Sequence, residues 1–143
     1  MPAAPPVIRQ SGSLMRDIEL AVLSFPRRHR YVVGQELRKQ IMQVTQLANR
    51  TWRRPVKRLA LIVELVDAVD DLKLTMQLAK DLHAFASFGQ FEDLSRKLSG
   101  LGAQVGGWHK QLHPQGQNVT SRAAPQRART LSTQDASIVE ANS

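Results

Sequence analysis

The spacing of apolar residues along the chain predicts helices and little else. Leu14, Ile18, Ala21, Val22 and Phe25 fall on one face at helical spacing, with Ser13 placed to cap the start, which predicts a first helix over about 13–24. Pro26 ends it, because the residue before a proline is pushed away from helical backbone angles. Tyr31, Gly34, Leu37, Ile41, Val44, Leu47 and Ala48 form the next stripe, predicting a second helix over about 29–52. Pro55 suits the first turn of a third helix over about 55–87, since the N–H it lacks has no intrahelical partner there. Gly89 interrupts the pattern, and a fourth helix over about 90–112 carries Phe91, Leu94, Leu98, Leu101, Val105, Trp108 and Leu112. Their alternating three- and four-residue steps make a heptad seam, the pattern of helices packed at shallow angles. The predicted fold is all-α, an antiparallel four-helix bundle over residues 13–112.

Outside the bundle the pattern stops. Residues 1–12 read as a flexible arm, because Pro2, Pro5 and Pro6 remove backbone donors. Residues 113–143 read as a disordered tail: Val119, Leu131, Ile138 and Val139 are too few large aliphatics to offset the entropy of ordering. Within the fourth helix, Gly100, Gly102, Gly106 and Gly107 each cost helix propensity. Close approach of a neighbouring helix is the favoured explanation, and fraying at Gly106-Gly107 the competing one. The third helix is apolar over two faces. Leu59, Ile62, Val66, Val69 and Met76 form one; Leu61, Leu65, Ala68, Leu72 and Ala79 form the other. A four-helix bundle has no central helix, so burial on two sides predicts a homo-oligomer.

Composition then narrows the function. There are no cysteines, which excludes disulfides and thiolate-based zinc sites. Met1–Ser13 lacks the apolar core of a signal peptide, and Leu59–Val63, the most apolar run, meets Glu64 far short of a membrane span. A cytoplasmic protein with no membrane partner is expected, and the sequons at Asn49 and Asn118 then have no significance.

Net charge is more informative. The 143 residues carry +8, with a pI near 10.8, which favours polyanions and above all nucleic acid. Between residues 27 and 58 lie ten bases, Arg27, Arg28, Arg30, Arg38, Lys39, Arg50, Arg53, Arg54, Lys57 and Arg58, against one acid, Glu36. They gather at 27–30 and 50–58, the two ends of the second helix, where side chains can reach phosphates. Arginine dominates, and its planar fork suits bidentate phosphate contact. Beside the clusters, Trp52 is open to either base stacking or packing, whereas Tyr31 is better read as the start of the apolar stripe. Arg122, Arg127 and Arg129 of the tail add little against Asp135 and Glu140. The competing role for the arginines is ion pairing with Glu64, Asp67, Asp70, Asp71 and Asp81 of the third helix; five acids cannot consume ten bases.

Catalytic signals are weak. His109 and His113 share a helix face at i, i+4 but have no carboxylate near them in sequence, and a histidine at a helix end is explained by the helix dipole. Asp81 and His83 point to different faces. The third-helix carboxylates lack the Glu-x-x-His pairs of di-metal bundles, and no phosphate loop, nucleophile elbow or catalytic carboxylate pair is present. The expectation is a non-enzyme without catalytic residues, metal or cofactor.

The run Phe25-Pro26-Arg27-Arg28-His29-Arg30-Tyr31-Val32-Val33-Gly34 through Leu37-Arg38 resembles the junction of helices one and two in the accessory variability proteins of diversity-generating retroelements. Val105-Gly106-Gly107-Trp108 is similar to that family's Leu-Gly-Gly-Trp step; Leu72-Lys73-Leu74 and Leu78-Ala79-Lys80-Asp81-Leu82 match more loosely. The resemblance spans about residues 14–112, and related bundle proteins encoded in ribosomal-RNA intervening sequences share the Phe-Pro start. It implies a homopentameric barrel of four-helix protomers. It also implies a non-catalytic partner of a reverse transcriptase that binds template RNA or cDNA during mutagenic cDNA synthesis. The alternative is an oligomeric helical scaffold that binds acidic protein surfaces without RNA. The tail has no counterpart in the family pattern.

Overall fold

A computed structural model describes residues 3–114; residues 1, 2 and 115–143 lie outside the described residues, and with them most of the expected tail and the tip of the expected arm. Up to residue 109 the chain is one compact unit, and residues 110–112 complete its last helix. The described residues are helical and contain no strand. The helices are α1 (Pro6–Leu23), α2 (Arg27–Arg30), α3 (Val33–Arg53), α4 (Arg58–Asp81) and α5 (Phe88–Leu112), with a 3-10 turn at Pro55–Lys57.

The first helix begins seven residues earlier than the sequence pattern suggested. Pro6 occupies its first position, where a fixed φ helps and a missing N–H costs nothing, and extended Pro5 leads into it. The stripe therefore runs back through buried Ser11 and Val7, and the Ser11 hydroxyl donates to the Ile8 carbonyl at 3.1 Å. Ser13 is an exposed residue inside the helix rather than its cap.

The predicted second helix is two helices. The Pro26 carbonyl accepts from the backbone N–H of His29 at 2.9 Å and of Arg30 at 3.0 Å, closing the single turn of α2. The chain then breaks at Tyr31-Val32 before α3 begins. At the other end, α4 stops at Asp81, not 87. His83 is left-handed at φ 58°, its N–H bonds to Lys80 O at 2.9 Å, and Ala84 N–H bonds to Ala79 O at 3.0 Å. This is the paired-bond helix terminator usually completed by glycine. α5 opens at Phe88 because Ser87 Oγ accepts from the Gln90 N–H at 3.1 Å, while Gln90 Oε1 accepts from the Ala86 N–H at 2.9 Å. Gly89 thus lies within the first turn and interrupts nothing.

The four long helices enclose one core in a bundle-like arrangement. α3 packs against both α1 and α4. Lys97 of α5 reaches Asp17 of α1 at 2.9 Å, and Gly102 of α5 faces Lys73 and Val69 of α4. The interior holds Ile18, Val22, Leu37, Ile41, Ile62, Leu65, Leu72, Leu98 and Leu101, each contributing about 1.5–3 kcal/mol by burial.

Two packing expectations are corrected. Ile62, Val69 and Met76 are buried together with Leu61, Leu65, Ala68, Leu72 and Ala79 within this one chain. Most of the two faces therefore merges into one broad arc covered within this chain, whereas Leu59 of the first face is exposed and Val66 half-buried. Close helix approach within the chain does not explain Gly100, Gly106 or Gly107 either. A methyl group at Gly100, Gly106 or Gly107 would meet nothing within 4 Å among the described residues, and at Gly102 it would meet chiefly the flexible end of Lys73. Nor does α5 fray at Gly106-Gly107; it continues to Leu112.

Candidate nucleic-acid interface

The basic residues gather at the two ends of α3, 21 residues and so about 30 Å apart. The first cluster is built on Phe25. Its ring is buried and meets Phe85 edge-on at 5.1 Å, which anchors the chain just before Pro26 turns it outward. Gly34 makes the tight return possible. A methyl group there would stand 2.8 Å from Val22 Cγ1, 3.2 Å from the His29 carbonyl oxygen and 3.3 Å from the Phe25 ring. The Phe-Pro-basic run and the glycine eight residues after Pro26 are thus parts of one corner. It presents Arg27 and Arg28 to solvent.

Arg30 turns inward. Its Nη2 donates to the Phe25 carbonyl at 3.3 Å, and its Nε is buried without a hydrogen-bond acceptor. Tyr31 is 64% exposed, which corrects its assignment to the apolar stripe. The break at Tyr31-Val32 shifts the stripe, and Val33 and Gly34 are buried in its place.

At the far end, Arg53 and Arg54 are exposed where α3 stops, Lys57 is exposed in the 3-10 turn, and Arg50 is half-buried one turn earlier. Arg58 has a different role. Its Nε donates to the Thr51 carbonyl at 2.9 Å and its Nη2 to the Trp52 carbonyl at 2.6 Å, while its guanidinium lies 5.4 Å from the centre of the Trp52 ring. One arginine therefore satisfies two end carbonyls of α3 and covers one side of Trp52. Trp52 itself is half-buried.

Between the clusters, Lys39 is exposed on the outer side of α3. Arg38 is held by Glu19 of α1 through two parallel bonds, Nε to Oε1 at 2.9 Å and Nη2 to Oε2 at 2.6 Å.

Of the ten predicted bases, then, Arg30, Arg38 and Arg58 serve the fold. Arg27, Arg28, Lys39, Arg50, Arg53, Arg54 and Lys57 have no ion pair or side-chain hydrogen bond among the described residues. The α4 carboxylates do not neutralise them. Glu64, Asp67, Asp70 and Asp71 make no ion pair among the described residues, and Asp81 meets only Lys80, at 4.0 Å. Unpaired guanidinium groups at exposed helix ends can neutralise phosphates with little desolvation cost.

Sequence reasoning missed Arg9 and Arg16, both exposed on α1: it placed Arg9 in the arm, and Arg16 lies outside the basic run of residues 27–58. The signal was there: Val7, Ser11 and Leu14 continue the apolar period back to Pro6. Among the described residues no group of three His, Asp or Glu side chains could hold a metal ion, and no helix is long and apolar enough to cross a membrane. Comparison of the chain with protein-family models, curated proteins and solved structures yields no match.

Proposed function

We propose that this chain is a non-catalytic, nucleic-acid-binding accessory protein. In this reading it is an antiparallel four-helix protomer of a homopentameric ring, located in the cytoplasm. It associates with a retroelement reverse transcriptase and with template RNA or cDNA during mutagenic cDNA synthesis. The observation that carries the reading is the set of seven unpaired bases at and between the two ends of α3, in a segment with a single acid. The corner built from Phe25, Pro26 and Gly34 supports it further, since it gives the residues of the family resemblance a shared physical purpose.

A ring would repeat both clusters around its circumference, so that one strand meets several copies at once and binds by avidity. Binding through phosphates falls with salt, with a log–log slope of about −0.7 to −0.9 per phosphate neutralised. The test is filter binding of RNA at moderate salt with Arg27, Arg28, Arg53 and Arg54 all changed to Glu. Loss of RNA and polymerase binding, with helicity and oligomer mass retained, is the expected result. Unchanged RNA affinity would overturn the reading. Polymerase binding without any salt-dependent RNA binding would favour the scaffold for acidic protein surfaces instead.

A further inference from the structure

The outer side of α4, opposite the core, carries exposed aliphatic side chains interleaved with exposed carboxylates. Val63, Leu74 and Leu78 are 44%, 61% and 50% exposed, on a stretch of helix about 22 Å long. Between them project Asp67, Asp70 and Asp71, all exposed and unpaired among the described residues. Lys73, the sole base from residue 59 to 79, leans away toward Gly102 of α5.

The complementary shape lies elsewhere on the same chain. Between α1 and α3 runs an open groove of about 470 Å³ lined by Met15, Leu20, Ile41 and Met42, with Arg16 and the Arg38–Glu19 pair at its edges. Arg16 has no ion pair among the described residues, and Arg9 stands two turns earlier on the same outer face of α1. The groove's only carboxylate, Glu19, is already engaged.

We infer that the acidic, apolar ridge of α4 docks into the basic, apolar groove between α1 and α3 of a second copy of this chain. Charge selects this occupant. Copies carrying +8 repel one another over most of their surface, and four of the twelve carboxylates fall within residues 64–71. The ridge is therefore where another basic copy is attracted, and each ridge aliphatic has an apolar wall to meet. Ridge and groove are different surfaces, so the contact is head-to-tail and closes into a ring if its rotation allows. The inference deepens the ring proposed above by naming its contact.

The test uses two full-length double variants followed by sedimentation velocity at tens of micromolar. Leu74→Glu with Leu78→Glu spoils only the ridge; Leu20→Glu with Met42→Glu spoils only the groove. All four positions are solvent-exposed, so far-UV circular dichroism should match that of the unaltered chain. The unaltered chain should sediment as an oligomer and each variant alone as a monomer. An equimolar mixture should form a one-to-one dimer, because one intact ridge and one intact groove remain. An oligomer that survives both variants overturns this contact while leaving the ring standing. A monomeric unaltered chain overturns both, and variants that stay separate on mixing overturn the head-to-tail pairing. If a double variant loses helicity, the milder Asp67→Asn with Asp70→Asn and Arg9→Gln with Arg16→Gln replace it. Each of these should weaken self-association by about tenfold, and no change would overturn the inference.

Discussion

Gly34 and Gly100 allow one substitution to be tested twice with opposite results. Both sit in helices, where alanine gains about 0.5–1 kcal/mol over glycine by restricting the unfolded chain. At Gly100 the added methyl meets nothing within 4 Å, so Gly100→Ala should realise that gain in full. At Gly34 the methyl arrives 2.8 Å from Val22 Cγ1, a side chain with no exposed surface, and 3.2 Å from a backbone oxygen. Neither neighbour is the loose end of a side chain. Overpacking of this kind costs about 1–3 kcal/mol, which leaves Gly34→Ala destabilised by about 1–2 kcal/mol after the helix gain. For a bundle of this size the melting temperature should fall by about 5–10 °C for Gly34→Ala and rise by a few degrees for Gly100→Ala. Far-UV circular dichroism melts and urea titrations at one fixed protein concentration measure both. Equal shifts in the two variants, or a Gly34→Ala protein as stable as the unaltered chain, would refute the close packing of the corner that carries Arg27 and Arg28.

Other substitutions separate the basic residues that hold the fold from those without an intramolecular partner. Arg58→Ala should cost about 1–2 kcal/mol in urea unfolding, since two charge-assisted bonds to the end of α3 are lost, whereas exposed Arg53→Ala should change stability by less than about 0.5 kcal/mol. Similar losses in the two variants would contradict that division. His83→Gly should stabilise by about 1 kcal/mol, because a side chain in the left-handed region is strained and glycine is not; a lower melting temperature would show the turn to be held by the imidazole. The bond from Lys97 to Asp93 holds the Asp93 carboxyl below its ordinary value, so its contribution is complete above the unfolded carboxylate range and is lost as pH falls through the folded value. Lys97 is held above its ordinary value, first by Asp17 and then by Asp93, so its contribution is complete below the unfolded lysine value and is lost as pH rises through the folded one. Lys97→Met should flatten stability at both flanks, and pH-dependent melts of the two proteins check this.

The helical class was legible because three stripes repeat with little interruption, and most residues named for the core are buried. What failed was local, and each failure has a chemical cause. Pro6 looked like a helix breaker when counted as a residue type, but at the first helical position it starts the helix. Gly89 looked like a stop, yet the Ser87 and Gln90 side chains bond to backbone N–H groups around the start of α5 and carry the helix through it. His83 gave no sign of ending α4, since histidine rarely occupies a position where glycine is unstrained.

At the candidate site the sequence located the charge but not its division of labour, and the reason bears on function. A count of arginines treats Arg38 and Arg53 alike. Only tertiary structure brings Glu19 within 2.6 Å of one and leaves the other exposed. The same holds for the carboxylates of α4, which sequence reasoning offered as partners for the arginines of a neighbouring helix or subunit. Within the chain they meet none of the ten bases of residues 27–58. Most of both halves of that expected pairing therefore stand apart, acids on α4 and seven of the ten bases at and between the ends of α3. Leaving them apart keeps the exposed bases at the ends of α3 clear of intramolecular ion pairs, while the outer side of α4 carries four of the chain's twelve carboxylates without an ion pair among the described residues, the charge separation on which both proposals above rest.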